Sequence, residues 1–264
     1  MAKRLWLVLA LGLALIGARP ALADVWDVAT NNDDTAGSTQ NDLVHGGDQI
    51  HDLGDLVAGT TADQDWYRVG ESANSSYQAV VDGTTGDLGG VTITRTDATG
   101  ATTVQTGAPI GVGYSQSLSW DNGGAAVEER LMVTDTTCGG NPTTCDANDQ
   151  YRVRFYDTTC AIPRFNNSAT QVTVLLLQNT TSTAVNGHYY LWDGTGLLVN
   201  TTTNTFSIPA NGTFVQNTVA DAPGVSGSVT VTNDYGYGAV SGKGVALEPA
   251  TGFTFDTALS CRPH

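Results

Sequence analysis

The sequence predicts an all-β protein: two antiparallel β-sandwich domains, jelly-roll or immunoglobulin-like, behind a cleaved signal peptide. Three observations carry this. Helix signals are nearly absent after the first two dozen residues. Short alternating runs of Val, Thr, Tyr and Phe recur along the rest, separated by Gly, Asn and Asp. The charge divides the chain, since residues 24–160 hold 21 acids and 5 bases and residues 161–264 hold 5 and 3.

The first element is an export signal. Lys3 and Arg4 precede an apolar run from Leu5 to Ile16, and Ala21-Leu22-Ala23 then forms a small-x-small site. That run is too short to span a bilayer, and the three parts together read as a secretory signal cleaved after Ala23. The expected product is secreted or periplasmic, with no membrane span in the mature chain. Residues 24–44 read as a polar lead-in, 45–160 as an acidic sandwich and 161–264 as a Thr-rich, immunoglobulin-like sandwich.

Strand runs are clearest at residues 77–81, 91–96, 129–134 and 150–156, then at 171–177, 188–192 and 226–232. In the run 150–156, Tyr151, Val153 and Phe155 share one face while Arg152 and Arg154 take the other. This is the alternation of an antiparallel sheet covered on one side. Asp97-Ala98-Thr99-Gly100 and Asp193-Gly194-Thr195-Gly196 supply turns. A sheet with one apolar face must bury it against another, hence sandwiches.

Cys138, Cys145, Cys160 and Cys261 make an even number in an exported chain, so disulfides are expected. Three pairings are open. The short, turn-rich loop between Cys138 and Cys145 favours joining those two, which leaves Cys160 and Cys261 to bracket the second sandwich. Such a bridge closes a loop long enough to stabilise by roughly 4 kcal/mol.

The first sandwich resembles the bacterial pre-peptidase C-terminal domain over roughly residues 45–157. The likeness rests on Asp52-Leu53-Gly54-Asp55-Leu56-Val57-Ala58-Gly59-Thr60 and on Asp63-Gln64-Asp65-Trp66-Tyr67-Arg68-Val69. Gly86-Asp87-Leu88, the run into Thr96-Asp97-Ala98-Thr99-Gly100 and the closing Gln150-Tyr151-Arg152-Val153-Arg154-Phe155 extend it. At Gly89-Gly90 the sequence departs from that family, which usually continues with a second Asp and an apolar residue. The resemblance implies a non-catalytic appendage of exported proteins. The second sandwich resembles an uncharacterised exported bacterial β-sandwich, through Pro163-Arg164-Phe165-Asn166-Asn167-Ser168 and the run from Gly242 to Phe253.

Candidate chemistry is sparse. A net charge of −15 excludes a nucleic-acid partner held through phosphates. Asp52, Asp55, Asp63 and Asp65 are candidate ligands for calcium, a hard cation that takes several oxygens. Tyr189, Trp192, Tyr235 and Tyr237 lie in or near Gly-rich segments and are candidate stacking surfaces for a ligand. Trp66 and Trp120 are expected in the first core. No Gly-x-Ser-x-Gly, His-Glu-x-x-His or glycine-rich phosphate loop occurs. Of the four His, His45 and His51 could share a metal only if a loop folded both rings together. Glu128 and Glu129 are adjacent on a strand and so point to opposite faces.

The sequence therefore predicts a non-enzymatic exported bacterial binding or surface-associated protein, whose partner is an extracellular polymer or a cell-surface protein. A carbohydrate-binding module using exposed Tyr and Trp is the alternative. A hydrolase is the third reading, and it needs a pocket joining His51 or His188 to a carboxylate.

Overall fold

The structure, a computed structural model, describes residues 26, 33–54, 63–137, 145, 147–200 and 204–263. The signal peptide, Asp55 and Cys138 lie outside the described residues. Strands β1 (Asp42–Leu43), β2 (Gly47–Asp52), β3 (Asp65–Glu71), β4 (Ser75–Gly83) and β5 (Val91–Thr96) open the chain. They are followed by β6 (Thr103–Thr106), β7 (Ser115–Asn122), β8 (Val127–Asp135) and β9 (Gln150–Asp157). Two sheets result, in the orders β1-β3-β8-β5-β6 and β2-β9-β4-β7. Their facing sides bury one core that includes Tyr67, Val69, Ile93, Leu131, Trp120, Tyr151, Val153 and Phe155.

The second half adds β10 (Cys160–Asn166), β11 (Val172–Asn179), β12 (Val185–Asp193), β13 (Asn204–Ile208) and β14 (Thr213–Asn217). It ends with β15 (Ser226–Asn233), β16 (Val240–Glu248), β17 (Phe253–Ala258) and β18 (Ser260–Cys261). These form sheets in the orders β13-β12-β15-β10-β18 and β14-β11-β16-β17. A second core lies between them, with Ile162, Phe165, Leu175, Leu177, Leu191, Phe206 and Val229 at its centre.

The all-β expectation holds, and each of the seven strand runs read from the sequence lies within or against a strand. One pairing departs from the antiparallel rule. β1 runs parallel to β3, with Asp42 opposite Arg68 and Leu43 opposite Val69. The cause is the lead-in, which crosses the outer edge of β3 instead of turning back from it. Asp33 O accepts from Trp66 N at 2.9 Å and Asn41 O from Arg68 N at 2.8 Å. Trp120 lies in the first core as expected. Trp66, although buried, lies outside that core beside the lead-in, where its ring approaches Gly100 along with Ala36.

Cys160 and Cys261 are joined by a disulfide between directly opposed residues of β10 and β18. Cys145 is buried and also disulfide-bonded.

The sandwiches meet over a short join after Asp157. His188 Nδ1 lies 2.6 Å from Asp121 Oδ2, and Thr232 Oγ1 donates to the same oxygen at 2.8 Å. On the other side, Arg262 pairs with Asp157 at 2.9 Å. Asp157 N donates to His45 Nδ1 at 3.0 Å. That bond leaves the proton of a neutral His45 on Nε2, which donates to Pro263 O at 3.1 Å.

Candidate metal centre

Three segments converge where the lead-in crosses β3. Asp33 comes from the lead-in, His51 from the end of β2 and Asp65 from the start of β3. Each offers one ligand atom, and these atoms lie within 4.8 Å of one another. All three residues are buried, as is Asn41, whose Nδ2 donates to Asp33 Oδ2 at 3.3 Å.

Local structure explains the convergence. β2 pairs with β9 so that His51 faces Tyr151. The His51 ring stacks on Tyr151 at 5.8 Å and meets Tyr67 edge-on at 5.2 Å. Tyr151 OH donates to Asp65 Oδ2 at 2.5 Å and also hydrogen-bonds Tyr67 OH. Burial, and then the Asp65 carboxylate, push the Tyr151 phenol well above its ordinary range, so it stays protonated and keeps donating.

The donor set fits a divalent cation. A dication would neutralise both carboxylates in their ionised form within this buried site. Asn41 supplies an independent sign. Its Oδ1 is buried with no hydrogen-bond partner, while its Nδ2 lies 3.4 Å from His51 Nε2. Turned over, the same amide puts an oxygen beside Asp33 and beside His51 Nε2, the ring nitrogen that also meets Gln49 Oε1 at 2.9 Å.

Of the expected aspartates that are described, Asp52, Asp63 and Asp65, only Asp65 belongs to this centre. Asp52 instead caps a turn, its Oδ1 accepting from Gly54 N at 3.1 Å. Asp63 accepts from Gln64 N at 2.8 Å. His45 and His51 could share a metal only if a loop folded both rings together, and no such loop forms: His45 sits at the join between sandwiches and His51 at the far end of β2, about 20 Å of extended chain away. Asp33 carries no spacing signal, because the three ligands come from three separate segments.

The candidate stacking residues Tyr189, Trp192, Tyr235 and Tyr237 lie in different surroundings. Tyr189 belongs to the second core, packed on Phe214 and donating to Asp221 Oδ2 at 2.9 Å. On β12, Tyr189 and Leu191 point inward while His188, Tyr190 and Trp192 take the other face. That face is itself covered at the junction, where Tyr190 is buried and its ring stacks with His188. Trp192 is half-buried, its indole N–H donating to Thr230 Oγ1 at 2.9 Å. Tyr235 and Tyr237 are exposed, on the loop after Asn233. Trp192 pairs with Ser228, five residues along β15 from Asn233, so about 17 Å of extended strand lies between it and the start of the loop that carries those tyrosines.

A second titratable group was not foreseen. Glu71, at the end of β3, is buried, and its Oε1 accepts from the Trp120 indole at 2.8 Å. Burial first, and the neighbouring Glu129 carboxylate second, push its pKa up to about 8. Glu129 is paired with Arg95, whose guanidinium lies over the Trp120 ring at 4.7 Å. Glu128, on the opposite face of β8 as expected, pairs with Arg130.

No family model matches the chain, and no curated protein does. Among solved structures, the chain is similar to a pre-peptidase C-terminal domain of collagenase from Bacillus anthracis. That match has 13% identity and a TM-score of 0.31, covering 44% of this chain and 92% of the other. A beta-glucuronidase from glycoside hydrolase family 2 matches at 10% identity and a TM-score of 0.21, with 85% of this chain covered. A family 2 member from Bacteroides cellulosilyticus matches at 11% identity and a TM-score of 0.24, with 79% covered. The chain spans 26% and 31% of the lengths of those two glycosidase-family chains.

Proposed function

We propose that the chain is a non-enzymatic exported bacterial protein of two β-sandwiches that binds an extracellular polymer or a cell-surface protein. The observation that carries this reading is the exposure of aromatic side chains on the second sandwich. Phe253 is 68% exposed, Phe255 52%, Tyr235 44% and Tyr237 43%. Large apolar groups left in water at this density are the mark of a surface that is covered by something else. Carbohydrate is the partner class that exposed rings beside polar side chains suit best.

The junction supports a non-catalytic reading. His188 does stand beside a carboxylate, as a hydrolase needs. However, the Thr232 hydroxyl donates to Asp121 and not to the imidazole, so Thr232 is not placed as a nucleophile for His188.

In this reading the centre at Asp33, Asn41, His51 and Asp65 holds one divalent cation, which clamps the lead-in to the first sandwich. Calcium takes six to eight oxygens, whereas an imidazole among carboxylates suits zinc or manganese. The acidic surface keeps the exported protein soluble.

The test is retention of purified 24–264 on insoluble polysaccharides and on whole cells, with zinc, manganese or calcium and again with a chelator. Retention on one polymer or cell type supports the reading. Passage through every matrix in every condition refutes it.

A further inference from the structure

We infer that the open flank of the second sandwich, between β17 and β10, is a binding site for a uronate unit of a polysaccharide. This rests on the binding-protein reading above and gives it a site and a ligand chemistry.

The argument begins with the cations. Among the described residues there are eight Arg and Lys side chains, and seven of them pair with a carboxylate. Arg164 alone does not, in a protein whose acids outnumber its bases 26 to 11. Its position is set by the backbone. The register of β10 against β15 shifts between Ile162 and Phe165, and this bulge leaves both Pro163 and Arg164 exposed.

Arg164 lines a groove of about 180 Å³ with Asn166, Gln171, Glu248, Phe253 and Phe255. The two phenylalanines stand on β17, opposite Glu248 and Ala246 of β16. Being two apart on one strand, their rings share a face. β17 is the last strand of its sheet, so this face overhangs the facing sheet instead of being covered by it.

The lining specifies the occupant. An unpaired guanidinium selects a carboxylate, which it can hold through two parallel hydrogen bonds. Two exposed rings select a flat apolar face, such as the C–H face of a pyranose. The Asn166 amide is engaged by Gln171 and Ser168, and Glu248 accepts from Thr170 and Ala250, which leaves the Gln171 amide N–H as a donor and the remaining lone pairs of Glu248 as acceptors for hydroxyl groups. A uronic acid residue presents all three features on one ring, and the groove has room for one. The surrounding domain, with 5 acids and 3 bases, opposes an anion far less than the first sandwich would.

The test is calorimetric titration of 24–264 with trigalacturonate, trimannuronate and a hyaluronan tetrasaccharide, and with the methyl ester of whichever binds. Arg164→Gln and the double variant Phe253→Ala/Phe255→Ala are titrated alongside. All three positions are exposed, so unchanged thermal unfolding verifies that the variants fold. The inference predicts that at least one uronate binds and that esterification or Arg164→Gln weakens it by about tenfold or more. The double phenylalanine variant should lose binding.

Equal binding by Arg164→Gln, or by the ester, overturns the site. So does Arg164-dependent binding of an acidic peptide with no response to any uronate. Retention on a neutral polymer that ignores Arg164 leaves the binding-protein reading standing and removes this site. Retention on no polymer or cell removes both.

Discussion

His188 of the second sandwich and Asp121 of the first are joined by a 2.6 Å contact between Nδ1 and Oδ2, with the carboxylate mostly buried. Nothing in the spacing of the two residues, 67 positions apart, indicates the pair. It exists because β12 presents His188 on the face away from its own core, toward β7. With Thr232 on the same oxygen, Asp121 becomes the anchor of the junction. The two sandwiches are thus held by a specific polar contact in addition to their short join.

A double-mutant cycle measures this. Asp121→Ala and His188→Ala should each lower thermal stability, and the double variant should lose less than the sum. A coupling of about 1–3 kcal/mol is expected for a partly buried hydrogen bond of this kind. Strict additivity would show that the pair contributes nothing.

Glu71 makes stability depend on pH. Its pKa of about 8 in the folded protein lies above the ordinary 4.5, because of burial and then Glu129. Between these values the native state keeps a proton that the unfolded chain has released. The contribution of Glu71 is therefore complete below about pH 4.5 and is lost as pH rises through 8. Glu71→Gln keeps an acceptor for the Trp120 indole without the charge. It should raise stability at pH 9 by about 1–3 kcal/mol and have little effect at pH 4. Denaturant unfolding at both values checks this, and an equal effect at the two would contradict it.

The disulfide between Cys160 and Cys261 spans 101 residues and ties the end of the chain to β10. Replacing both cysteines by serine should destabilise the second sandwich by roughly 4 kcal/mol. The first core, which contains neither residue, should be much less affected. Hydrogen exchange followed by mass spectrometry, read separately on peptides of the two halves, distinguishes the two transitions. Equal loss in both halves would contradict this independence.

Much of the architecture was legible in the sequence. Runs such as 91–96 and 150–156 announce themselves because one face meets a core and the other meets water, which forces an alternation of period two. The pairing of Cys160 with Cys261 is one of three that the sequence leaves open, and the short loop after Cys138 favours it. What was hidden depends on contacts between distant segments. β1 and β18 are two residues each, too short for any pattern. Tyr189 is a candidate stacking surface by its Gly-rich surroundings, yet alternation along β12 turns it inward.

The site was less legible than the fold for the same reason. Asp65 stood out beside Trp66 and Tyr67, but its partners Asp33 and His51 lie 32 and 14 residues away, in segments that the sequence does not visibly link. A histidine at the end of a strand looks like any other until the crossing of the lead-in brings two aspartates to it. Arg164 was legible as a residue and illegible as an unpaired one, since pairing is decided by seven other side chains and a bulge.

The measurement that tests the clamped lead-in most directly is thermal unfolding of 24–264 after chelation, repeated with zinc, manganese and calcium, for the wild type and for Asp65→Asn. Ligand in hundredfold excess over its dissociation constant adds about 2.7 kcal/mol, a rise of about 5–10 °C for a chain of this size. The account predicts such a rise with zinc or manganese, a smaller one with calcium, and none in Asp65→Asn. An unfolding temperature that ignores chelator and all three metals would contradict it.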